Sequence, residues 1–341
     1  MIRPPLKPPN SVCVQFYKGV TMLKFMDGFD QLRGWSDVTD GLTKCGYTVA
    51  GTPTLEEGRV ATQMAVSLPD TASLKRVFTS GATKVVFGFA FRAIGLRHTL
   101  LTIKDVVTIT WSETDGKITA AGGTGTAVLL LDLWYYIEVV LDKTTSTIEV
   151  YVNNGLDITA PSPSSANPVT NYEVTWAGVA TAQYLLDDIQ FIDNQPGKYT
   201  GRIGPIQITS RLPMVDVDKE WSPSSGNDHY PLVYNQPPVE GSYIQSNTSG
   251  ATDTFLSNTV IPDTQNILAV GMTVLNKKSD VDNRQLGMVI GQKGDTQKEV
   301  IDAALSTTEK YSYAVFETNA AGQDWNDERL SEAPFGVIVR P

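Results

Sequence analysis

Reactive side chains are scarce in this sequence. Of 341 residues only two are cysteine, Cys13 and Cys45, and only two are histidine, His98 and His229. A chain with so few cysteines does not rest on disulfides, which fits assembly in a reducing cytoplasm. Two free thiols are expected, and a Cys13–Cys45 pair is the alternative. Charged residues make up 19%, below the usual ~25%, as expected where Lys- and Glu-rich helical surfaces are missing. The net charge of −10 argues against nucleic acid as a partner, because phosphates demand a basic face. No apolar run reaches the roughly 18 residues that a membrane helix needs, so no membrane insertion is expected. The opening MIRPPLKPPN lacks the apolar core of a signal peptide. Export by an obvious route is not expected, and a role outside a cell would follow lysis.

What the chain does have is strands. Val85-Val86-Phe87-Gly88-Phe89-Ala90-Phe91-Arg92 is rich in β-branched and aromatic residues, and Leu100-Leu101-Thr102-Ile103 and Val106–Trp111 follow. Trp134–Asp142 and Thr147–Val152 come next, with Asn153-Asn154-Gly155 behind them, an alternating pattern with a hairpin turn signal. Tyr172–Gly178 and Tyr184–Asp193 read as closing strands. Turn residues recur at roughly 8–12-residue spacing, as in an all-β sandwich, and no stretch of 24–193 sustains a helical period. The spacing predicts a two-sheet antiparallel sandwich with Trp134, Ile137, Val139, Val150 and Val152 buried or half-buried. After Asn194-Gln195-Pro196-Gly197 the texture changes to turns, aromatics and prolines. A second β-rich segment then runs from Ile267 to Val339, with a short helix expected near Trp325–Leu330.

Catalytic constellations are missing. No HExxH, CxxC pair, GxSxG or phosphate-binding Gly-Lys-Ser/Thr loop is present. Gly122-Gly123-Thr124-Gly125 lies between strands and opens no helix, so it lacks the N–H array that binds phosphate. His98, beside Arg97 at a strand edge, reads as a surface residue, and His229 as a turn or packing residue. Asp187-Asp188 is the obvious carboxylate pair, but neighbours on a regular strand point to opposite faces, so it should not flank one substrate. Calcium at Asp187, Asp188 or the Asp27/Asp30 turn is the alternative to Asp as a turn former. No cofactor, no metal site and no enzymatic activity are expected.

Two resemblances follow from particular residues. Phe25-Met26-Asp27-Gly28-Phe29-Asp30, the paired strands Trp134–Asp142 and Thr147–Asn153, and the closing Leu186-Asp187-Asp188-Ile189-Gln190-Phe191-Ile192-Asp193 resemble laminin-G-like domains. That implies a concanavalin A-like jelly-roll sandwich, a fold that hosts lectins, enzymes and inert modules alike. The glucanase pattern Glu-x-Asp-x-x-Glu of that superfamily is absent at Asp188–Asp193, and the laminin-G calcium ligands have no residue-by-residue match. Gly204-Pro205-Ile206-Gln207-Ile208, Leu212-Pro213, Trp221–Tyr230, Gln236-Pro237-Pro238, Ser242-Tyr243-Ile244, Asp253-Thr254-Phe255 and Phe335-Gly336-Val337 resemble tailed-bacteriophage virion proteins of tail, fibre, collar or decoration type.

The expected organisation is an extended Pro-rich arm at 1–23, with a disordered terminus as the alternative, then the sandwich at 24–195. An aromatic and Pro-rich connecting segment occupies 196–262 and a smaller C-terminal β-rich domain 263–341. The expected role is that of a structural virion subunit, made in the host cytoplasm and acting through contacts with other virion proteins as a homo-oligomer, a trimer or ring. A carbohydrate-binding, lectin-like module engaging host surface glycans is the alternative. Candidate contact residues are Arg3 and Lys7 in the arm, and Trp221, His229, Tyr230, Tyr234, Pro237, Pro238 and Tyr243 in the aromatic stretch, because aromatics are enriched at interfaces and prolines lower the cost of holding a loop. Sealing of the C-terminal part onto the sandwich is the competing role for the aromatic stretch.

Overall fold

The computed structural model describes residues 23–341 except 97, 179–181, 200, 258–265 and 295–296. Its first strands are β1 (Leu23–Asp27), β2 (Thr48–Ala50), β3 (Thr54–Glu57), β4 (Met64–Pro69), β5 (Ser73–Thr79), β6 (Lys84–Ile94), β7 (Thr99–Ile103) and β8 (Val107–Trp111). They are followed by β9 (Lys117–Ala120), β10 (Gly123–Val128), β11 (Tyr135–Asp142), β12 (Thr147–Val152), β13 (Gly155–Pro161), β14 (Asn171–Ala177) and β15 (Gln183–Asp193). These form two antiparallel sheets. One has the order β13-β12-β11-β6-β15-β4-β3 with β1 also on β15, and the other β10-β9-β8-β7-β14-β5-β2. The expected all-β class, a two-sheet antiparallel sandwich followed by a smaller β-rich part, is the architecture observed.

Alternation sets the core. Along β6 and β11 the residues Phe87, Phe89, Phe91, Ile137, Val139 and Leu141 turn inward to meet Phe78, Tyr172, Val174 and Trp176 of the facing sheet. Phe191 stacks on Phe87 at 4.9 Å and lies 4.8 Å from Phe78, and Phe89 meets Trp176 edge-on at 6.2 Å. Ile137, Val139 and Val150 are buried, and Trp134 and Val152 half-buried, as the strand period requires. The β12–β13 turn places Asn153 and Asn154 at φ 46° and 77°, the left-handed geometry that a two-residue hairpin needs and asparagine tolerates.

One element departs from the sequence reading. Helix α1 (Val38–Lys44) interrupts the strands. Its signals are local: the Asp37 carboxylate accepts from the Asp40 amide, Lys44 pairs with Asp40 at 2.7 Å, and Leu42 is buried. About two helical turns with only Val38 and Leu42 as apolar anchors are too short to show a period.

The remaining strands are β16 (Val215–Lys219), β17 (Ser222–Pro223), β18 (Ile244–Gln245), β19 (Thr252–Leu256), β20 (Val270–Asn276), β21 (Gln285–Ile290), β22 (Lys298–Asp302), β23 (Lys310–Phe316) and β24 (Phe335–Arg340). Helix α2 (Tyr230–Val233) lies between β17 and β18, and α3 (Asp327–Ser331) precedes β24, where a short helix is expected. A five-stranded sheet, β16-β19-β24-β21-β22, draws on both 196–262 and 263–341. The β20–β23 pair carries Tyr311 and Tyr313 onto the sandwich, 6.4 Å from Trp35 and 5.2 Å from Phe25.

Candidate functional site

The two outer faces of the sandwich differ. That of the eight-stranded sheet is covered by the chain itself. Val86, Val140 and Ile192 pack under Tyr199, Ile203, Ala269 and Val315, and Ala90 and Tyr136 under Ile203, Ile206, Ile208 and Leu268. The polar groups of this face are concentrated where β15 changes partner. Gln183–Leu186 pair with β4, whereas Ile189–Ile192 pair with β1. Between them the register against β6 shifts, and Asp188 adopts φ 47°.

A bulge reorients side chains locally, and here it overturns the expectation that Asp187 and Asp188 diverge. Both carboxylates meet Arg59: its amide donates to Asp187 Oδ2 at 3.1 Å and its guanidinium lies 3.3 Å from Asp188 Oδ2. Gly58 is required beside them, since a Cβ there would stand 2.9 Å from Asp187 Oδ2.

Over this cluster runs an extended strap, residues 203–210, which is bound by side chains instead of a β-ladder. The Gly204 amide donates to Glu138 Oε1 at 3.1 Å, the Ile208 amide to Asp188 Oδ1 at 2.7 Å, and the Ser210 amide to Asp30 Oδ2 at 3.3 Å. Beneath the strap the Tyr136 hydroxyl donates to Asp188 O at 3.2 Å. The carbonyls are read as well. Gln190 donates to Gly204 O at 3.5 Å, Arg59 to Ile206 O at 2.7 Å, and Gln63 to Ile208 O. Every second residue thus presents its main chain to the sandwich, the period-2 geometry of an extended segment. Glu138 is held in turn by Arg202, whose Nε and an Nη lie 3.0 and 2.6 Å from Oε2.

Burial sets the electrostatics. It raises Asp187 to about 8, with the Asp188 carboxylate adding to the rise. It raises Asp188 to about 6 against the pull of Arg59. Asp30 is raised by burial despite the amide bonds it accepts from Met64 and Ser210, and Glu138 by burial despite Arg202. Burial, with mutual repulsion, biases the Asp187/Asp188 pair toward holding a proton.

The outer face of the seven-stranded sheet carries hydroxyls. Thr99, Thr110, Thr119 and Thr124 are cross-strand neighbours in one row. Thr108, Thr102, Thr175, Lys75 and Thr48 form a second row. All are exposed or half-exposed, and Lys75 is paired with Glu173 at 3.3 Å. No tryptophan of the sandwich strands joins them: Trp111 and Trp176 are buried in the core, and half-buried Trp134 packs beside the strap.

The candidate contact residues part company. Tyr234, Tyr243, Pro237 and Pro238 are exposed, and Trp221 and Tyr230 half-buried. Trp221 donates its ring N–H to Ala251 O at 3.0 Å. His229 is buried, with Nδ1 against Asp253 Oδ2 and its amide on Asp216. Arg3, Lys7, Cys13 and residues 1–22 of the arm lie outside the described residues, and Leu23 belongs to β1. Cys45 is a buried free thiol, pushed up to about 12 mainly by burial. His98 is not a surface residue: it is 7% exposed, with Nδ1 2.7 Å from Thr99 O and its ring edge-on to Tyr184 at 5.2 Å. Sequence reasoning missed the strap because its partners lie up to 180 residues away, as for Ser210 and Asp30.

No protein-family model matches this sequence, and no curated protein does. Solved structures align with part of this chain at low identity. Domain 4 of AbnA, a GH43 extracellular arabinanase from Geobacillus stearothermophilus, is 14% identical, with 50% of this chain and 92% of that chain covered at a TM-score of 0.38. The carbohydrate recognition domain of Emp47p is 12% identical over 48% of this chain and 92% of that one, at 0.32. A sialidase is 15% identical over 51% of this chain at 0.37, and the match spans 19% of its length. Among the described residues no helix is long and apolar enough to cross a membrane.

Proposed function

We propose that this chain is a non-catalytic binding module whose working face is the open, threonine-lined side of the seven-stranded sheet, with glycans as the ligand class. That hydroxyl-lined face is the observation that carries the reading. Rows of hydroxyls can give and accept hydrogen bonds with the hydroxyls of an extended sugar chain, and a face without an aromatic shelf would recognise through hydrogen bonds more than through stacking. The opposite face supports the absence of catalysis. Its clustered carboxylates, the candidates for acid and base, already accept from the chain's own amides. A glycan array with the full-length protein tests the proposal. Binding is expected, and Thr110→Glu, a solvent-facing change in the middle of the array, should remove it while leaving the melting temperature unchanged. An array with no hits, or equal binding by the variant, would overturn it.

The second reading, a subunit of a phage virion, rests on the sequence resemblance alone, and an exposed apolar edge bears only on how such a subunit would make contacts. Val128, Leu130, Leu133 and Leu156 are each at least half exposed. The Ala127 and Thr126 amides both bond Asp157, so the 128–133 loop and Leu156 share one edge of the sandwich. Exposed apolar surface of this kind marks contact sites. Leu130→Glu with Leu133→Glu should change stability by less than about 0.5 kcal/mol per site, yet abolish self-association or incorporation into particles. Unchanged assembly would count against this edge. The two readings are compatible in a particle-borne glycan-binding subunit. The division at residues 23, 195 and 262 is likewise proposed, and limited proteolysis tests it.

A further inference from the structure

We infer that the cleft between β1 and β5, where the Arg76 guanidinium and the Lys24 ammonium stand, binds the carboxylate of an acidic sugar residue, a hexuronate or sialate within the glycan proposed for the neighbouring face. The ligand class rests on that proposal, and the site rests on separate residues. The cleft has a volume of about 240 Å³ and opens at the seam of the sandwich. Among the described residues β1 has a ladder on β15 only, and β5 has β14 along its whole length but β2 only at Ser73–Lys75. Lys24 and Phe25 of β1 thus meet Arg76 to Thr79 of β5 across an edge that no strand fills, and Phe78 and Phe191 back it from the core.

Arg76 is held in place with most of its donors unused. Its Cζ lies 3.9 Å from the Phe25 ring centroid and 5.3 Å from that of Tyr313, a stack that fixes the plane of the guanidinium. One Nη donates to Cys45 O. Arg76 makes no ion pair with a described residue, whereas Arg59, Arg202 and Arg340 each hold a carboxylate, and its free nitrogens are not sealed in the core. Two acids stand close by. Asp193 is 3.8 Å from Lys24 Nζ, too long for a hydrogen bond. Asp27 feels the Arg76 charge, but one of its oxygens takes the Phe29 amide and Gln31, each at 2.9 Å, and the other the Tyr47 hydroxyl at 2.9 Å. The cleft therefore offers N–H donors that lack acceptors, and a guanidinium edge matches a planar carboxylate with two parallel bonds. The two acids behind the cations leave little surplus charge, so a singly charged carboxylate suits the site better than a dianionic phosphate.

The position of the cleft points to a sugar as the carrier of the carboxylate. Lys75 belongs to an outward row of the seven-stranded sheet, and Val77 and Thr79 continue that face along β5 to the rim of the cleft. Val77 is 52% exposed, and Thr79 donates to Asn171 Oδ1 at 2.8 Å. A sugar chain lying on the threonine rows would pass this rim, and one acidic residue of it would turn over the edge onto Arg76. Residues 1–22, which precede β1, contain no Asp or Glu, so that segment has no side-chain carboxylate to place there.

A glycan array carrying neutral, carboxylated and sulfated sugars, probed with the full chain, tests this. The strongest carboxylated hit is then titrated by calorimetry as the free carboxylate and as its methyl ester. Carboxylated glycans should lead the hits, and esterification should weaken binding about tenfold or more, the loss of one charge-assisted bond. Arg76→Gln and Lys24→Glu should each bring the free carboxylate down to the level of the ester. If Arg76→Gln does not fold because the ring stack is lost, Lys24→Glu decides. Neutral glycans bound as well as acidic ones, or a preference for the carboxylate that survives in the variants, would overturn the inference and leave the threonine-lined face its glycan. Sulfated glycans or polyglutamate bound as tightly as the carboxylated sugars would overturn it too, by showing a general anion site or an acidic protein partner. An array with no hits overturns the underlying proposal and this inference with it.

Discussion

Arg202→Ala is expected to lower the unfolding free energy by about 3–5 kcal/mol at neutral pH, because it leaves a buried charge without its partner. Glu138 is 1% exposed and sits on β11 under the strap, where Arg202 grips one oxygen with two N–H groups while the Gly204 amide takes the other. Arg202 also lies over the Tyr151 ring at 3.5 Å and donates to Asn154 Oδ1 at 2.7 Å, so its removal opens three contacts at once. Urea denaturation followed by tryptophan fluorescence measures the loss. Adding Glu138→Gln to the variant should recover a large part of it, since a neutral amide does not need the guanidinium. A double variant as unstable as Arg202→Ala alone would show that the cost lies in packing on Tyr151. The loss should also shrink in acid. Burial raises the Glu138 pKa, and once Arg202 is gone the carboxyl takes up a proton more readily still.

Phe191→Ala should cost a similar amount, about 3–5 kcal/mol, the range for deleting a buried phenyl ring that its neighbours cannot collapse to replace. Phe191 is 1% exposed, and Phe78, Phe87 and Tyr172 surround it with ring centroids at 4.8, 4.9 and 6.3 Å. These rings come from both sheets, so the cavity would lie between layers that the strands hold apart. Phe191→Leu, which keeps more of the volume, should cost much less. Equal losses for the two variants would mean that the ring contacts, more than the filled volume, hold the sheets together. The measurement is again the denaturation midpoint at constant slope, which separates a stability change from a change in the unfolded state.

Much of this protein is written locally. Alternation over six to eight residues is enough to place Ile137, Val139 and Val150 in a core, and Asn153-Asn154-Gly155 is enough to turn one strand into the next. Such signals work because a strand's side-chain period and a turn's φ angles are properties of a few consecutive residues. The same locality explains the failures. Asp187 and Asp188 read as diverging neighbours because a strand was assumed to be regular, yet β15 exchanges β4 for β1 at that point and bulges. The partners that force the exchange are more than a hundred residues away in sequence. His98, Trp111 and Trp176 gave no signal of which way they face, since a polar or amphipathic ring suits either side of a strand edge.

The sequence by itself determined the central sandwich strands β6–β8, β11, β12, β14 and β15, the β12–β13 hairpin and the all-β class of the fold, because hydrophobic alternation specifies which face of each strand must leave water. Only the tertiary structure decided which outer face stays open. The strap that closes one of them is recognised through its main-chain amides, and those carry little trace in the identity of residues 203–210. Its specificity resides in Asp30, Arg59, Gln63, Glu138, Asp188 and Gln190, which are scattered along the chain and meet only when the sheets have formed.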